Sequence, residues 1–308
     1  MEPEDYPKTV LEFEERFASE AACRDYLFQV RWPEGFRCPR CGGGQAWETK
    51  RNLYRCCRCD AQVSLTAGTI FQDTHQPLRV WFRALWHATS QKHGVSALGL
   101  QRVLGLGSYR TAWTWLHKLR RAMVRPGRDR LWGIVEVDET YVGGEKPGKR
   151  GRGAAGKTLV LVAVEDKGEE GIGRIRLHRV ADASAHSLTP AVQAMVTPAS
   201  TVRTDGWSGY TAIHSVGYTH TVVREAAEPG ENPLPLVHRV ASLLKRWLLG
   251  THQGAVRASH LDYYLDEYTF RFNRRTSRSR GKLFYRLVQQ AVAIAPVTGQ
   301  DIRGGTAL

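Results

Sequence analysis

The chain has 308 residues, 42% of them hydrophobic and 24% charged, which suits two or three domains with a real core and excludes a disordered tail. It has no run of about 18 apolar residues, and its acidic start lacks the basic and apolar parts of a secretory signal, so a cytoplasmic protein with no membrane partner is expected. The net charge of +14, mostly arginine, favours nucleic acid, because each neutralised phosphate releases counterions; ribosomal, RNA-processing and membrane-surface proteins share such charge.

Residues 8–30 read as a helical opening segment, with Leu11, Phe13, Phe17, Cys23, Leu27 and Phe28 between acids. Cys23 has no partner at metal spacing and reads as a small buried side chain. Cys38-Pro-Arg-Cys41 is followed, after fourteen intervening residues, by Cys56-Cys-Arg-Cys59. Two such knuckles let Cys38, Cys41, Cys56 and Cys59 converge as four thiolates on one structural zinc, with a short hairpin between them and Cys57 to spare. All six cysteines lie at or before Cys59, which argues against a secreted disulfide framework and for a reducing compartment.

Residues 77–125 are helical by pattern. Ser96 can cap a short helix, Gly105 to Gly107 make a turn, and Ser108 can cap a second helix carrying Tyr109, Arg110, Trp113, Lys118, Arg120 and Arg121. Either this is a helix-turn-helix reading a DNA groove, or it is a plain helical hairpin joining two domains.

From residue 131 the period changes to that of strands. Residues 131–142 alternate, 158–165 are nearly continuously apolar as in a buried strand, 173–180 alternate with Arg or His, a helix spans 184–196, and a short strand ends at Asp205. Two basic helices follow, about 235–249 and 259–274. The order matches an α/β, ribonuclease-H-like mixed sheet of the retroviral-integrase type with flanking helices. The expected segments are an N-terminal helical region 1–35, a zinc ribbon 36–70, a helix-turn-helix-like region 77–125, a catalytic domain 131–292 and a tail 293–308. The glycine-rich linker from Gly143 to Gly156 holds Lys149, Arg150 and Arg152, and reads as a phosphate-gripping tip or a solvated loop.

Asp138 and Asp205 each read as ending an apolar strand. Carboxylates so placed bind metal or cap a turn, and two of them can hold divalent ions about 4 Å apart for in-line displacement at phosphorus. On the 235–249 helix, Val240, Leu243, Leu244 and Trp247 share an apolar face, and His238, Ser242 and Lys245 share the polar one. In isolation His238 is a surface or capping histidine. Arg271 to Lys282 is strongly basic and is expected, with Arg110 and Arg246, to contact DNA backbone, Arg271, Arg274 and Arg275 among its members.

These residues resemble a family. Arg31-Trp-Pro-Glu-Gly-Phe-Arg-Cys, Val135-Glu-Val-Asp-Glu-Thr-Tyr-Val-Gly-Gly, Thr204-Asp-Gly-Trp-Ser-Gly-Tyr, the run from Val237 to His252 and the run from Leu265 to Arg275 are similar to insertion-sequence transposases of the IS1595 family, ISXO2-like branch, over about residues 10–292. The resemblance implies a DDE-type transposase with magnesium or manganese, two ions, in which Asp138 and Asp205 match the first two acids. The family often has Glu seven residues before a helix lysine; counting back from Lys245 reaches His238, a departure. Imidazole is a poorer magnesium ligand than carboxylate but suits manganese. If His238 is not the ligand, Glu225, Glu228, Glu231 and Glu267 are the acids to consider. Lys245 is expected to steady a phosphate or base near the cut. The resemblance further implies binding of terminal inverted repeats in double-stranded DNA, end cleavage and strand transfer by a homodimer or larger assembly, in a bacterial or archaeal nucleoid. A non-catalytic DNA-binding regulator and a structure-specific nuclease on the same scaffold are the alternatives.

Overall fold

The computed structural model describes residues 4–125, 127–143, 157–223, 232–254 and 256–304. The chain divides into two compact units, one from Met1–Pro126 with Ser277–Thr306, the other from Gly127–Thr276.

In the first unit the expected helical opening segment is two helices, α1 (Val10–Arg16) and α2 (Glu20–Arg31). The break is chemical: the Ser19 hydroxyl accepts the Ala22 amide at 3.1 Å, which starts a new helix where the first has ended at Phe17. Three short strands follow, β1 (Ala46–Glu48), β2 (Leu53–Cys56) and β3 (Gln62–Ser64), paired antiparallel in that order. The expected hairpin therefore gains a third strand.

Helix α3 (Leu78–Ser90) precedes α4 (Ala97–Leu104) and α5 (Tyr109–Ala122). Their caps are those expected: Ser96 Oγ accepts from Gly99 at 3.0 Å, Ser108 Oγ from Arg110 at 3.1 Å, and Gly105 closes α4 in the left-handed region.

The first unit takes back the end of the chain. Helix α9 (Arg280–Ala293) lies here and not with the expected catalytic segment, because its apolar side, Leu283, Phe284, Leu287, Val288 and Ala291, is buried in this core. The Phe284 ring, fully buried, lies within 6.3 Å of the rings of Phe13, Phe17, Tyr26, Phe82 and Trp86. A last short helix, α10 (Gly299–Gly304), buries Ile302.

The second unit is built on one five-stranded sheet. Strands β4 (Ile134–Val142), β5 (Thr158–Asp166) and β6 (Ile172–Val180) form an antiparallel meander, and β7 (Thr201–Thr204) and β8 (Thr219–Val222) add parallel on the other side of β4, giving the order β6-β5-β4-β7-β8. Helix α6 (Ala185–Met195) makes the crossover from β6 to β7 and packs with Val135, Val137, Leu161 and Ala163 on one face. Helices α7 (Pro235–His252) and α8 (Leu261–Phe272) cover the other face over Val160, Val162, Ile175 and Leu177. This strand order with helices on both faces is a ribonuclease-H-like fold. Strand β8 was not anticipated: four residues with a half-buried pattern leave little periodic signal.

No described helix is long and apolar enough to cross a membrane. Replacing Phe284 by Ala empties the aromatic cluster that joins α9 to the first unit; the expected cost is about 3–5 kcal/mol, read as a lower denaturation midpoint of that unit.

Candidate active site

Strand β4 brings the chemistry to the sheet's centre. Asp138 is the fifth residue of a strand that runs on to Val142, paired with β5 throughout, so it does not end its strand as expected. What ends is its other neighbour. Strand β7 pairs parallel with β4 through Glu136 opposite Arg203 and stops at Thr204, so the same register continued two residues further brings Asp138 level with Asp205, just past the end of β7.

Asp205 starts a tight turn. Its Oδ1 accepts the Trp207 amide at 2.9 Å, and Thr204 Oγ1 accepts the Gly206 amide at 3.2 Å. Gly206 has φ +82°, and a Cβ there would lie 2.6 Å from Val222 Cγ1, so only glycine fits this corner.

The third group arrives from α7. His238, Ser242 and Lys245 are exposed, while Val240, Leu244 and Trp247 are buried and Leu243 packs partly buried beside them, which is the face division the sequence predicts; Val237 joins the buried side. His238 Nε2 lies 3.1 Å from Asp138 Oδ2, and its Nδ1 lies 2.6 Å from Asn232 Oδ1. Asn232 Oδ1 also accepts the Leu234 amide at 3.2 Å, so this atom is the amide oxygen and the proton sits on Nδ1. In neutral imidazole the Nε2 lone pair then points at a carboxylate. Two lone pairs meeting this way call for a proton or a cation between them, and an oxygen and a nitrogen ligand suit a divalent ion such as manganese.

The electrostatics agree. Burial pushes the Asp138 carboxyl up from its ordinary value of 3.8 to about 6; neighbouring Glu139 and Asp205 push the same way, and His238 opposes them. The Lys245 ammonium is held below its usual range by partial desolvation and by Lys157, with Asp138 opposing, so lysine and aspartate share one field.

The zinc site is tighter. The sulfurs of Cys38, Cys41, Cys56 and Cys59 all lie within 4.8 Å of one another, with Cys38–Cys59 and Cys41–Cys56 at 3.6 Å. Tetrahedral thiolates 2.3 Å from zinc would sit about 3.8 Å apart. A Cβ on Gly43 would press on Cys41 Sγ and Cys56 Sγ at 3.3 Å. At Cys38 burial opposes ionisation, but the amides of Cys41 and Arg40 together with the thiols of Cys59 and Cys41 outweigh it and hold the thiol down at about 7. Cys57 is exposed and outside this group; Cys23 is buried, which pushes its thiol up to about 12. Among the described residues no other set of three His, Cys, Asp or Glu ligand atoms is as compact. Asp138, Asp205 and His238 are therefore a looser trio with Asp205 outermost.

The expected DNA contacts divide. Arg110 and Arg246 are exposed on α5 and α7. Arg271 instead holds the buried Glu267 carboxylate, Nε to Oε1 at 2.8 Å, which also removes Glu267 as an alternative ligand. Arg275 donates to the carbonyls of Gly173 and Ile172, Asn273 brackets Ile175 through its backbone N–H and C=O, and Arg274 lies over the Phe270 ring at 4.1 Å. This basic run thus fastens α8 to the edge strand β6. On α5, Arg120 is buried and Lys118 reaches the Ile70 carbonyl, so neither faces a groove. Lys149, Arg150, Arg152, Glu225, Glu228 and Glu231 lie outside the described residues.

Sequence reasoning missed Asn232 and Glu136. Glu136 is 3% exposed in a central strand and accepts the amides of Leu236 and Val237 at 2.9 Å each. An acid on the same strand face as Asp138, amid apolar neighbours, was the available signal. For Asn232 there was none, since Asn is common in any loop.

A raised folded-state pKa means that folding favours protonated Asp138, so its stabilisation is present below about pH 4 and is lost as pH rises through about 6. Without divalent ions, Asp138→Asn is therefore expected to be more stable than wild type at pH 8, by about 1–3 kcal/mol, and to lose that advantage below pH 4. Thermal melts across pH read this directly, and manganese should raise the wild-type midpoint only. Cys56→Ala should cost the protein its single zinc, read by a colorimetric zinc assay.

Residues 130–273 match the ISXO2-like transposase domain, and residues 18–62 match the transposase zinc-ribbon domain. The chain is 30% identical to an uncharacterized protein in transposable element ISH50 of Halobacterium salinarum, across 86% of this chain and 94% of the relative. Among solved structures it is similar to the catalytic core domain of BIV integrase, at 19% identity and a TM-score of 0.29 over 44% of this chain and 80% of that one. The chain belongs to the IS1595 family of insertion-sequence transposases, with a transposase zinc ribbon ahead of an ISXO2-like transposase domain.

Proposed function

We propose that this transposase binds the terminal inverted repeats of its element, cleaves at their ends and joins the freed 3′ hydroxyls to target DNA, with Asp138, Asp205 and His238 as metal ligands. The observation that carries the reading is the facing of His238 Nε2 and Asp138 Oδ2 at 3.1 Å, beside Asp205 at the end of β7. Two divalent ions, when bound, would supply activation of the attacking oxygen and stabilisation of the leaving 3′ oxygen.

The chain's own residues do the rest. Asp138 and Asp205 offer oxygen ligands from adjacent strands of a rigid sheet. Asn232 holds the proton on His238 Nδ1, so Nε2 is presented as a base or ligand. Lys245, two helical turns along the same face, is placed to pair with a phosphate next to the one being cut. No serine or tyrosine nucleophile is required. The zinc ribbon and the α4–α5 hairpin, whose exposed start includes Tyr109 and Arg110, would recognise the repeats. Cutting two ends in concert calls for a dimer or larger assembly on DNA, acting at the nucleoid.

The test is strand transfer with a labelled oligonucleotide bearing the candidate repeats. Joined product supports the proposal; cutting alone indicates a nuclease, and retention without cutting a regulator. Asp138→Ala and Asp205→Ala should each lower joining by about a thousandfold or more, and unchanged joining would rule out the site. Wild type should prefer manganese to magnesium, and His238→Glu should shift that preference toward magnesium. Unaltered metal preference together with full activity in His238→Ala would remove His238 from the ligand set.

A further inference from the structure

We propose that Glu136 is a positioning residue, a helix cap supplied by the sheet, which fixes His238 against Asp138. The proposal rests on the metal-site reading above. Helix α7 begins with Leu234 as its capping residue and Pro235 as its first residue, and has no side-chain cap of its own. An 18-residue helix leaves its first amides without partners and carries partial positive charge there. Pro235 has no amide to satisfy; the next two amides, of Leu236 and Val237, both donate to Glu136 Oε2 at 2.9 Å.

The donor and acceptor sides of this contact each sit next to the site. Glu136 is two residues before Asp138 on β4, hence on the same face of the sheet. Val237 is the residue before His238. Two hydrogen bonds thus join the strand that carries the carboxylate to the helix turn that carries the imidazole. Asn232 sets the rotation and tautomer of the ring, while Glu136 sets the height and direction of the helix end beneath it. At 3% exposure the carboxylate is out of reach of DNA. An uncapped first turn would let His238 drift by more than the few tenths of an ångström that ligand geometry tolerates.

Hydrogen bonding and metal affinity can be read separately. Glu136→Ala should weaken manganese binding by about 10–100-fold, the usual cost of losing a group that orients a ligand, measured by titration calorimetry on the full chain. Glu136→Gln keeps a carbonyl oxygen for both amides and should recover most of the affinity. Glu136→Asp keeps the charge but withdraws it by one methylene, and should bind manganese several-fold more weakly than Gln, which also serves if the alanine variant does not fold. In hydrogen exchange, the peptide over residues 234–240 should lose protection in the Ala and Asp variants and keep it in Gln.

The coupling decides the matter. In a His238→Ala background, Glu136→Ala should have less than about a twofold further effect on manganese affinity, because the residue it positions is gone. An equal loss in both backgrounds, or wild-type affinity in Glu136→Ala or Glu136→Asp, overturns the proposal and leaves the metal site standing. Failure of the wild-type protein to bind manganese, visible before any substitution, overturns the metal-site reading and this role with it.

Discussion

The site depends on strand β4 having two kinds of neighbour. On one side β5 pairs with it from end to end; on the other, β7 accompanies only its first three residues. Where β7 stops, β4 continues, and the side chain at that step is the half-buried Asp138. Strand alternation then sorts the rest: Val135 and Val137 go to the α6 face, Glu136 and Asp138 to the α7 face. A shift of one residue in this register would bury both acids among the apolar side chains under α6.

That arrangement is unfavourable by itself. It gathers a half-buried aspartate and a second aspartate at the neighbouring strand end, and burial with like charge drives Asp138 toward its protonated form against the pull of His238. A chain tolerates such frustration where a ligand removes it. In the proposed ligand set, a histidine in the third position adds no negative charge where a carboxylate would, and its weaker hold on magnesium is the corresponding loss. The same helix brings Lys245 about 10 Å further along, seven residues at 1.5 Å each, so one rigid element carries both the proposed ligand and the proposed phosphate partner.

How much of this was legible in the sequence depended on range. The two Cys-x-x-Cys knuckles, the Ser96 and Ser108 caps and the polar face of α7 are local patterns, and the folded chain has them where they were expected. Strands β3 and β8, at three and four residues, are too short to show a period. Asp138 looked like a strand terminus because charge interrupts an apolar run, and the sequence does not record that β5 carries the pairing past it. The basic run from Arg271 to Arg275 is ambiguous for a related reason. An arginine that forks onto phosphate and one that closes off a sheet edge's carbonyls are the same residue in a string; only Gly173, Ile172 and Glu267, distant in sequence or on the next turn, tell them apart.

The position of helix α9 explains the chain's organisation. Its basic start continues the run after α8, yet its apolar side completes the aromatic cluster of Phe13, Phe17, Phe82 and Trp86. The first unit is therefore closed by segments from both ends of the chain, and the whole ribonuclease-H-like unit is inserted between them. Closing so long a loop costs only a few kcal/mol more than closing a short one, since the entropy grows with the logarithm of length; burying five apolar side chains of α9 readily offsets it. The consequence is a dependence that strand and helix patterns do not reveal. The unit that holds the zinc ribbon and the helical hairpin has a complete core only after the residues that carry Asp138, Asp205 and His238 have already been made.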